Sequence, residues 1–297
     1  MPVQATHSSL TVTSRAASGA GIGAGYGSLI AGCGTAVVML HASLGSKAQW
    51  SPLVAAMAPR FRAIALDLRG YGDLPPAGLG MSSGADDDVL ALEERLDGLV
   101  APRTRFHLVG HSYGGFVAMR YARLHPERIA SLALYEPVAF RALPEHDESL
   151  AALRRLAGVV TTSVHQGHRH LASQVFVDFW SGDGAFASMP LPSRASIARR
   201  IGKVALDFRA ALAWPDDPDE LRAIDAPAFL IAGRRSPVLA QRIVASLAHR
   251  LPNARSAWVD AGHLGPVTDA ADVNALVAGF VGECEDERAR GREARAA

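Results

Sequence analysis

Arg105-Phe-His-Leu-Val-Gly-His-Ser-Tyr-Gly-Gly115 is the stretch whose reading organises the rest of the chain. Phe106, Leu108 and Val109 have the character of a buried β-strand, and the apolar run stops at Gly110. Phe116, Val117, Met119, Tyr121 and Ala122 then recur as a helix packing back on that strand. Between the two, Gly110-His-Ser112-Tyr-Gly114 sets a serine between glycines. Without a Cβ the backbone folds tightly there and lifts Ser112 to the tip of a strained strand-to-helix turn. The hydroxyl then stands exposed above a sheet. The Tyr113 amide opens a helix whose unpaired N–H groups favour an anion, as an acyl-transfer intermediate requires.

Outward from this turn, strand and helix alternate. Residues 35–40, 63–66, 129–135, 228–232 and 254–259 read as strands. Residues 49–59, a segment capped by Ser82 or Ser83 and reaching about Val100, residues 237–250, and 269 to about 281 read as helices. Continuous apolar strands such as 35–40 are those covered on both faces, so the fold class is α/β with a doubly wound, mostly parallel sheet. Residues 9–13 suit an antiparallel edge strand, and the Gly-rich segment up to residue 34 has room for a second. Asp86 to Asp88 sit at the positive end of the helix after Ser82, so the triplet reads as dipole chemistry; it lacks the glycine turn of a calcium loop.

The rhythm breaks from Pro137 to about Glu220, where residues 150–156, 171–180 and 193–212 look helical and no strand-like run occurs. The expected organisation is a core in two parts, 1–136 and 221–282, a helical cap at 137–220, and a charged, frayed tail at 283–297. The cap carries Phe176, Phe179 and Trp180 at helical spacing, with Phe186, Phe208 and Trp214 nearby. Such a stripe is first of all cap core. Whatever part of it faces the serine makes an apolar pocket suited to a hydrophobic or aromatic acyl group.

The bulk numbers narrow the partners. In 297 residues, 30 Lys and Arg against 29 Asp and Glu leave a formal charge of +1, which supplies no field for nucleic acid or an anionic membrane. The expected partner is a small-molecule substrate. Cys33 and Cys284 form no metal or redox pattern, consistent with a reducing, cytoplasmic setting. Ile30-Ala-Gly-Cys33 is similar to a lipoprotein cleavage box, but the glycines at 19, 21, 23, 25, 27, 32 and 34 make the segment a poor signal or spanning helix.

In an open α/β sheet, ligands bind beyond the carboxyl ends of the strands. The chain places His41 to Leu44, Asp67, Ser112, Glu136, Ser236 and His263 there. A serine hydroxyl needs an imidazole to take its proton and a carboxylate to hold that imidazole. His263, in Asp260-Ala-Gly-His-Leu-Gly265, follows the last strand and is the candidate base; His111 is expected to point into the core, His41 to hold its loop, and His107 lies within a strand. His165, His168 and His170 lack a fourth ligand and are not read as a metal site.

Taken together, His41-Ala42, Asp67-Leu-Arg-Gly-Tyr-Gly72, Gly-His-Ser112-Tyr-Gly-Gly and Gly-His263 before a final helix resemble the α/β-hydrolase fold family, from about Ala36 to Phe280. The resemblance implies an eight-stranded, mostly parallel sheet, a helical cap after the sixth strand, and nucleophile, acid and histidine in that chain order. Most members place the acid in a G-x-x-D turn after the seventh strand, where this chain reads Gly233-Arg-Arg-Ser236. Some relatives take it from the end of the sixth strand, which here is Glu136, expected to be extended because Pro137 follows. The expected triad is Ser112, Glu136 and His263, with Asp260 as the other acid to test. By resemblance, the oxyanion donors are the amides of Ser43 and Tyr113, with Leu44 as the alternative to Ser43. The implied activity is a cofactor-free serine hydrolase of small ester-like acyl substrates, without metal; perhydrolysis, C–C bond hydrolysis or a cap-gated ligand sensor are the alternatives.

Overall fold

The computed structural model describes residues 23–296 except 78, 79, 81, 83, 85 and 214–217. Its centre is one sheet of eight strands, β1 (Gly23–Gly25), β2 (Ser28–Ala31), β3 (Ala36–Leu40), β4 (Arg62–Leu66), β5 (Phe106–His111), β6 (Ile129–Tyr135), β7 (Ala228–Gly233) and β8 (Ala254–Val259). The spatial order is β1-β2-β4-β3-β5-β6-β7-β8. The first three neighbours pair antiparallel, and every pair from β4 to β8 is parallel. The suggested strand at residues 9–13 lies outside the described residues. The Gly-rich segment supplies the two edge strands, with the hairpin turn at Gly27, φ +66°.

β3 shows why these runs are apolar throughout. Val38 and Leu40 belong to the apolar layer that also takes in α2 (Asp87–Leu96), α3 (Tyr113–Leu124) and α8 (Val238–Arg250) on one face of the sheet. Val37 and Met39 pack with α1 (Ser51–Met57) and α10 (Ala270–Ala296) on the other. With both faces covered, alternate side chains have no solvent side to turn to. At roughly 25 cal/mol per Å² of apolar surface removed from water, these two layers are the main favourable term holding the sheet.

Between β6 and β7 lie α4 (Glu148–His165), α5 (Arg169–Ser181), α6 (Ala185–Ser188) and α7 (Leu191–Leu212), which arch over the carboxyl ends of the strands. The short α9 (Gly265–Thr268) follows β8. Two helical expectations need correction. α2 begins at Asp87 and ends at Leu96, and the Ser82 hydroxyl donates to the Asp87 carboxylate at 2.7 Å; Ser83 is outside the described residues. The charged C-terminus is helical as part of α10, because its charges find partners: Thr35 Oγ1 donates to Glu285 Oε1 at 2.9 Å, Arg288 and Arg292 also hold Glu285, and Arg255 pairs with Glu283.

Candidate active site

The turn after β5 has the geometry its glycines allow. Ser112 sits at φ +54°, ψ −117°, a conformation costly for a side-chain-bearing residue. The fold over-determines it: the Ser112 amide donates to Tyr135 O at 3.0 Å, and its carbonyl accepts from Phe116 and Val138 at 3.0 and 3.2 Å. A Cβ on Gly114 would meet His41 O at 2.4 Å, and one on Gly110 would meet Gly115 Cα at 2.6 Å, so the crossing of strand, turn and helix has room for glycine alone.

Three side chains from three strand ends converge there. His263 Nε2 is 2.9 Å from Ser112 Oγ, and His263 Nδ1 is 2.7 Å from Glu136 Oε2. The second carboxylate oxygen, Oε1, accepts the Gly233 amide at 2.7 Å. All three residues are buried, Glu136 completely. Glu136 is not extended, as Pro137 suggested; its φ is +43°. Its amide donates to Ile231 O while both carboxylate oxygens are held beside β7 and β8, and the chain twists at this residue to satisfy both. Asp260 turns the other way: its side chain is 82 % exposed and pairs with Arg235 at 3.3 Å. Ser236, in the position where relatives carry an acid, is buried near the Tyr135 hydroxyl.

Two further histidines brace the site as neutral imidazoles. His41 donates from Nδ1 to Ala42 O at 2.7 Å and accepts the Leu68 amide on Nε2 at 2.9 Å; burial pulls its pKa down to about 4. His111, driven well below the usual histidine range by burial, donates to the His263 carbonyl at 2.8 Å and so fixes the loop that carries the imidazole.

Beyond His41 the chain turns through Ala42 and Gly45, with Gly45 N on Ala42 O at 3.0 Å. Among the described residues, no backbone group accepts from the amide of Ser43 or of Tyr113. Leu44 sits in the left-handed region at φ +64°. Ser43 and Tyr113 both border the space above Ser112. Amides left without a backbone acceptor beside Ser112 are what a developing oxyanion needs.

Directly behind these two donors lies a buried ionic cluster absent from the expectations above. Lys203, on α7, bonds Asp88 Oδ2 at 2.9 Å and also Asp207, one turn along its own helix. Asp207 Oδ2 accepts from Ser43 Oγ at 2.6 Å and from the Tyr71 hydroxyl at 2.5 Å, while Asp88 takes the Tyr113 hydroxyl and, at 2.9 Å, Arg69 Nε. Burial works against the Lys203 charge, yet Asp207 and Asp88 outweigh it and hold its pKa above the ordinary lysine value. Asp88 is therefore more than a helix-dipole residue: it is the core end of an ionic tie to the cap. The sequence signal was Lys203 and Asp207 four apart inside an otherwise apolar run of α7.

Two cavities border Ser112. One of about 200 Å³ is bordered by Ser112 and His263 together with Leu44, Phe176, Trp180 and Val267. Another of about 20 Å³ is bordered by Ser112, Tyr113, Phe140, Phe208 and Ala211, without His263. An open groove of about 980 Å³ runs past His263 and Trp180 on the outside and does not reach Ser112. Of the aromatic stripe, Phe176, Trp180 and Phe208 face the site, Phe179 lines the outer groove, Phe186 packs on His170, and Trp214 is outside the described residues. Among the described residues, no group of three or more His, Cys, Asp or Glu could hold a metal ion, and no helix is long and apolar enough to cross a membrane.

A buried serine–histidine–carboxylate chain on a parallel sheet, under a helical arch, defines a class of hydrolytic enzymes. Residues 37–276 match the model of the alpha/beta hydrolase family, and the chain belongs to that family. It is 28 % identical over 265 residues to a pimeloyl-[acyl-carrier protein] methyl ester esterase of Aeromonas hydrophila, covering 84 % of this chain and 97 % of that one. In structure it is similar to a thermophilic esterase from Thermogutta terrifontis, with a TM-score of 0.65, 23 % identity, and 86 % and 93 % of the two chains covered. It is likewise similar to the enol-lactonase from Burkholderia xenovorans, with a TM-score of 0.62, 20 % identity, and 84 % and 92 % covered. The protein is a hydrolase of the esterase type.

Proposed function

We propose that this protein is a cofactor-independent carboxylic ester hydrolase of the cytoplasm that works through Ser112, His263 and Glu136 and takes a small, apolar ester. What carries the reading is the unbroken hydrogen-bond chain from Ser112 Oγ to His263 (2.9 Å) to Glu136 (2.7 Å), beside a cavity that Ser43 and Tyr113 line together with Ser112. His263 Nε2 takes the hydroxyl proton as Ser112 Oγ bonds to the carbonyl carbon. The carbonyl oxygen gains the electron pair and is held by the amides of Ser43 and Tyr113. His263 then passes its proton to the leaving oxygen as the ester C–O bond breaks, and an acyl group remains on Ser112. Water repeats the sequence: His263 removes its proton, the carbon–Oγ bond breaks, and the proton returns to Ser112 as the acid leaves. Glu136 keeps Nδ1–H in place and offsets the charge on the imidazolium.

Incubation with a fluorophosphonate probe and a panel of p-nitrophenyl esters tests this. Labelling of Ser112 and turnover that falls by several orders of magnitude in Ser112→Ala support the enzyme. Labelling with negligible turnover on every ester favours a ligand sensor.

A further inference from the structure

From the two unequal cavities beside Ser112 we infer a division of the substrate: a very short acyl group, acetyl in size, and a larger apolar alcohol. This rests on the reading of Ser112 as nucleophile and His263 as the proton carrier. In the tetrahedral intermediate the leaving oxygen must lie within reach of His263 Nε2, because that nitrogen protonates it. Only the cavity of about 200 Å³ is bordered by both Ser112 and His263, so the leaving arm lies there. The acyl arm points away from the imidazole, towards Tyr113 and into the cavity of about 20 Å³ that His263 does not border. Because about 10–15 Å³ of such space holds one water, this cavity accommodates roughly one or two heavy atoms, counting the carbonyl oxygen that Ser43 and Tyr113 would hold there.

The walls explain the difference. The small cavity is closed by Phe208, which packs on Phe140 at 6.5 Å and on Phe176 at 5.9 Å between ring centroids, and by Ala211 on the same helix. Asp207 also lines it, and its carboxylate is committed to Lys203, Ser43 and Tyr71. Lengthening the acyl chain would require both the aromatic stack and this ionic tie to move. In contrast, the larger cavity has no charged wall other than His263 when protonated, and Leu44, Val177, Met189, Ile197 and Leu264 give it an apolar lining. The apolar room that the aromatic stripe suggested for an acyl group is thus assigned to the alcohol.

Hexyl acetate and methyl heptanoate are isomers with the same atoms and nearly the same hydrophobicity, but with the short arm on opposite sides of the ester. Steady-state hydrolysis of the two by the full chain should give a kcat/KM at least tenfold higher for hexyl acetate. Phe208→Ala should narrow or reverse that ratio by admitting the longer acyl arm; Phe208→Leu serves the same purpose if the alanine variant does not fold. Hydrolysis of both isomers with methyl heptanoate equal or preferred overturns this inference and leaves the ester hydrolase standing. A ratio unchanged in both Phe208 variants overturns it as well. Turnover of neither isomer, nor of any p-nitrophenyl ester, sinks the hydrolase reading and this inference together.

Discussion

Trp180 of the cap lies face to face on the imidazole of His263, with ring centroids 4.1 Å apart and planes 24° from parallel. The imidazole is therefore gripped on one face by the cap, at its edge by Glu136, and from behind by the His111 contact to its carbonyl. An aromatic face attracts a cation, so the stack strengthens when His263 takes up the Ser112 proton.

Such a contact is worth about 1–2 kcal/mol when desolvated. Trp180→Leu should therefore lower kcat/KM for a short-chain ester by roughly 5- to 30-fold, and Trp180→Phe should retain most of the activity. Steady-state kinetics on the two variants checks this. Equal activity of leucine and phenylalanine would show that the ring does no more than fill space.

Glu136→Gln should cost roughly three to four orders of magnitude in kcat with little change in KM, as removal of a triad carboxylate does elsewhere. The glutamine can still accept the Gly233 amide, so the β6–β7 edge should remain folded, as thermal melting would report. Asp260→Asn and Ser236→Ala should stay close to wild type. Substantial turnover in Glu136→Gln, or its loss in Asp260→Asn, would move the acid elsewhere.

The cluster behind the oxyanion amides makes a stability prediction. Lys203→Met leaves Asp88 and Asp207 buried without their shared cation, and breaking a buried pair in this way costs about 3–5 kcal/mol. At about 2–4 °C per kcal/mol, the melting temperature should fall by roughly 6–20 °C. The Ser43 loop hangs from Asp207, so kcat should fall as well, even at temperatures where the variant is fully folded. A Lys203→Met variant that melts and reacts like wild type would show the tie to be idle.

Burial lowers both His41 and His107 from 6.5 to about 4. In the folded chain they resist protonation while the unfolded chain accepts it, so their contribution is complete above about pH 6.5 and is lost as pH falls towards 4. Each accounts for roughly 3 kcal/mol. Urea unfolding at pH 7, 5.5 and 4.5 should show stability dropping steadily, and His107→Gln should flatten the slope. A pH-independent midpoint across this range would contradict the two burial shifts.

What the sequence made legible was local. Glycines around Ser112, the position of Glu136 before Pro137 and the Gly-His263 loop each mark a strand end, and parallel strands bring their carboxyl ends to one rim. The backbone at Glu136 was not legible, since its positive φ comes from hydrogen bonds to β7 and β8 that no local rule encodes. Nor was the ionic cluster. A Lys and an Asp one turn apart read as a solvated surface pair until α7 is known to lie over Ser43 and Tyr113. The C-terminal charges misled for the same reason: Glu285 is matched by Thr35, which lies at the opposite end of the chain.

The central claim is that Ser112 Oγ becomes covalently acylated once His263 removes its proton. Rapid quenching during hydrolysis of p-nitrophenyl acetate, followed by digestion and peptide mass spectrometry, tests it most directly. The account predicts one acetyl group per chain, on the peptide containing Ser112, appearing with the first burst of nitrophenol and absent from His263→Ala. Undiminished hydrolysis by Ser112→Ala, or an acetyl group on another residue that turns over at the catalytic rate, would contradict it.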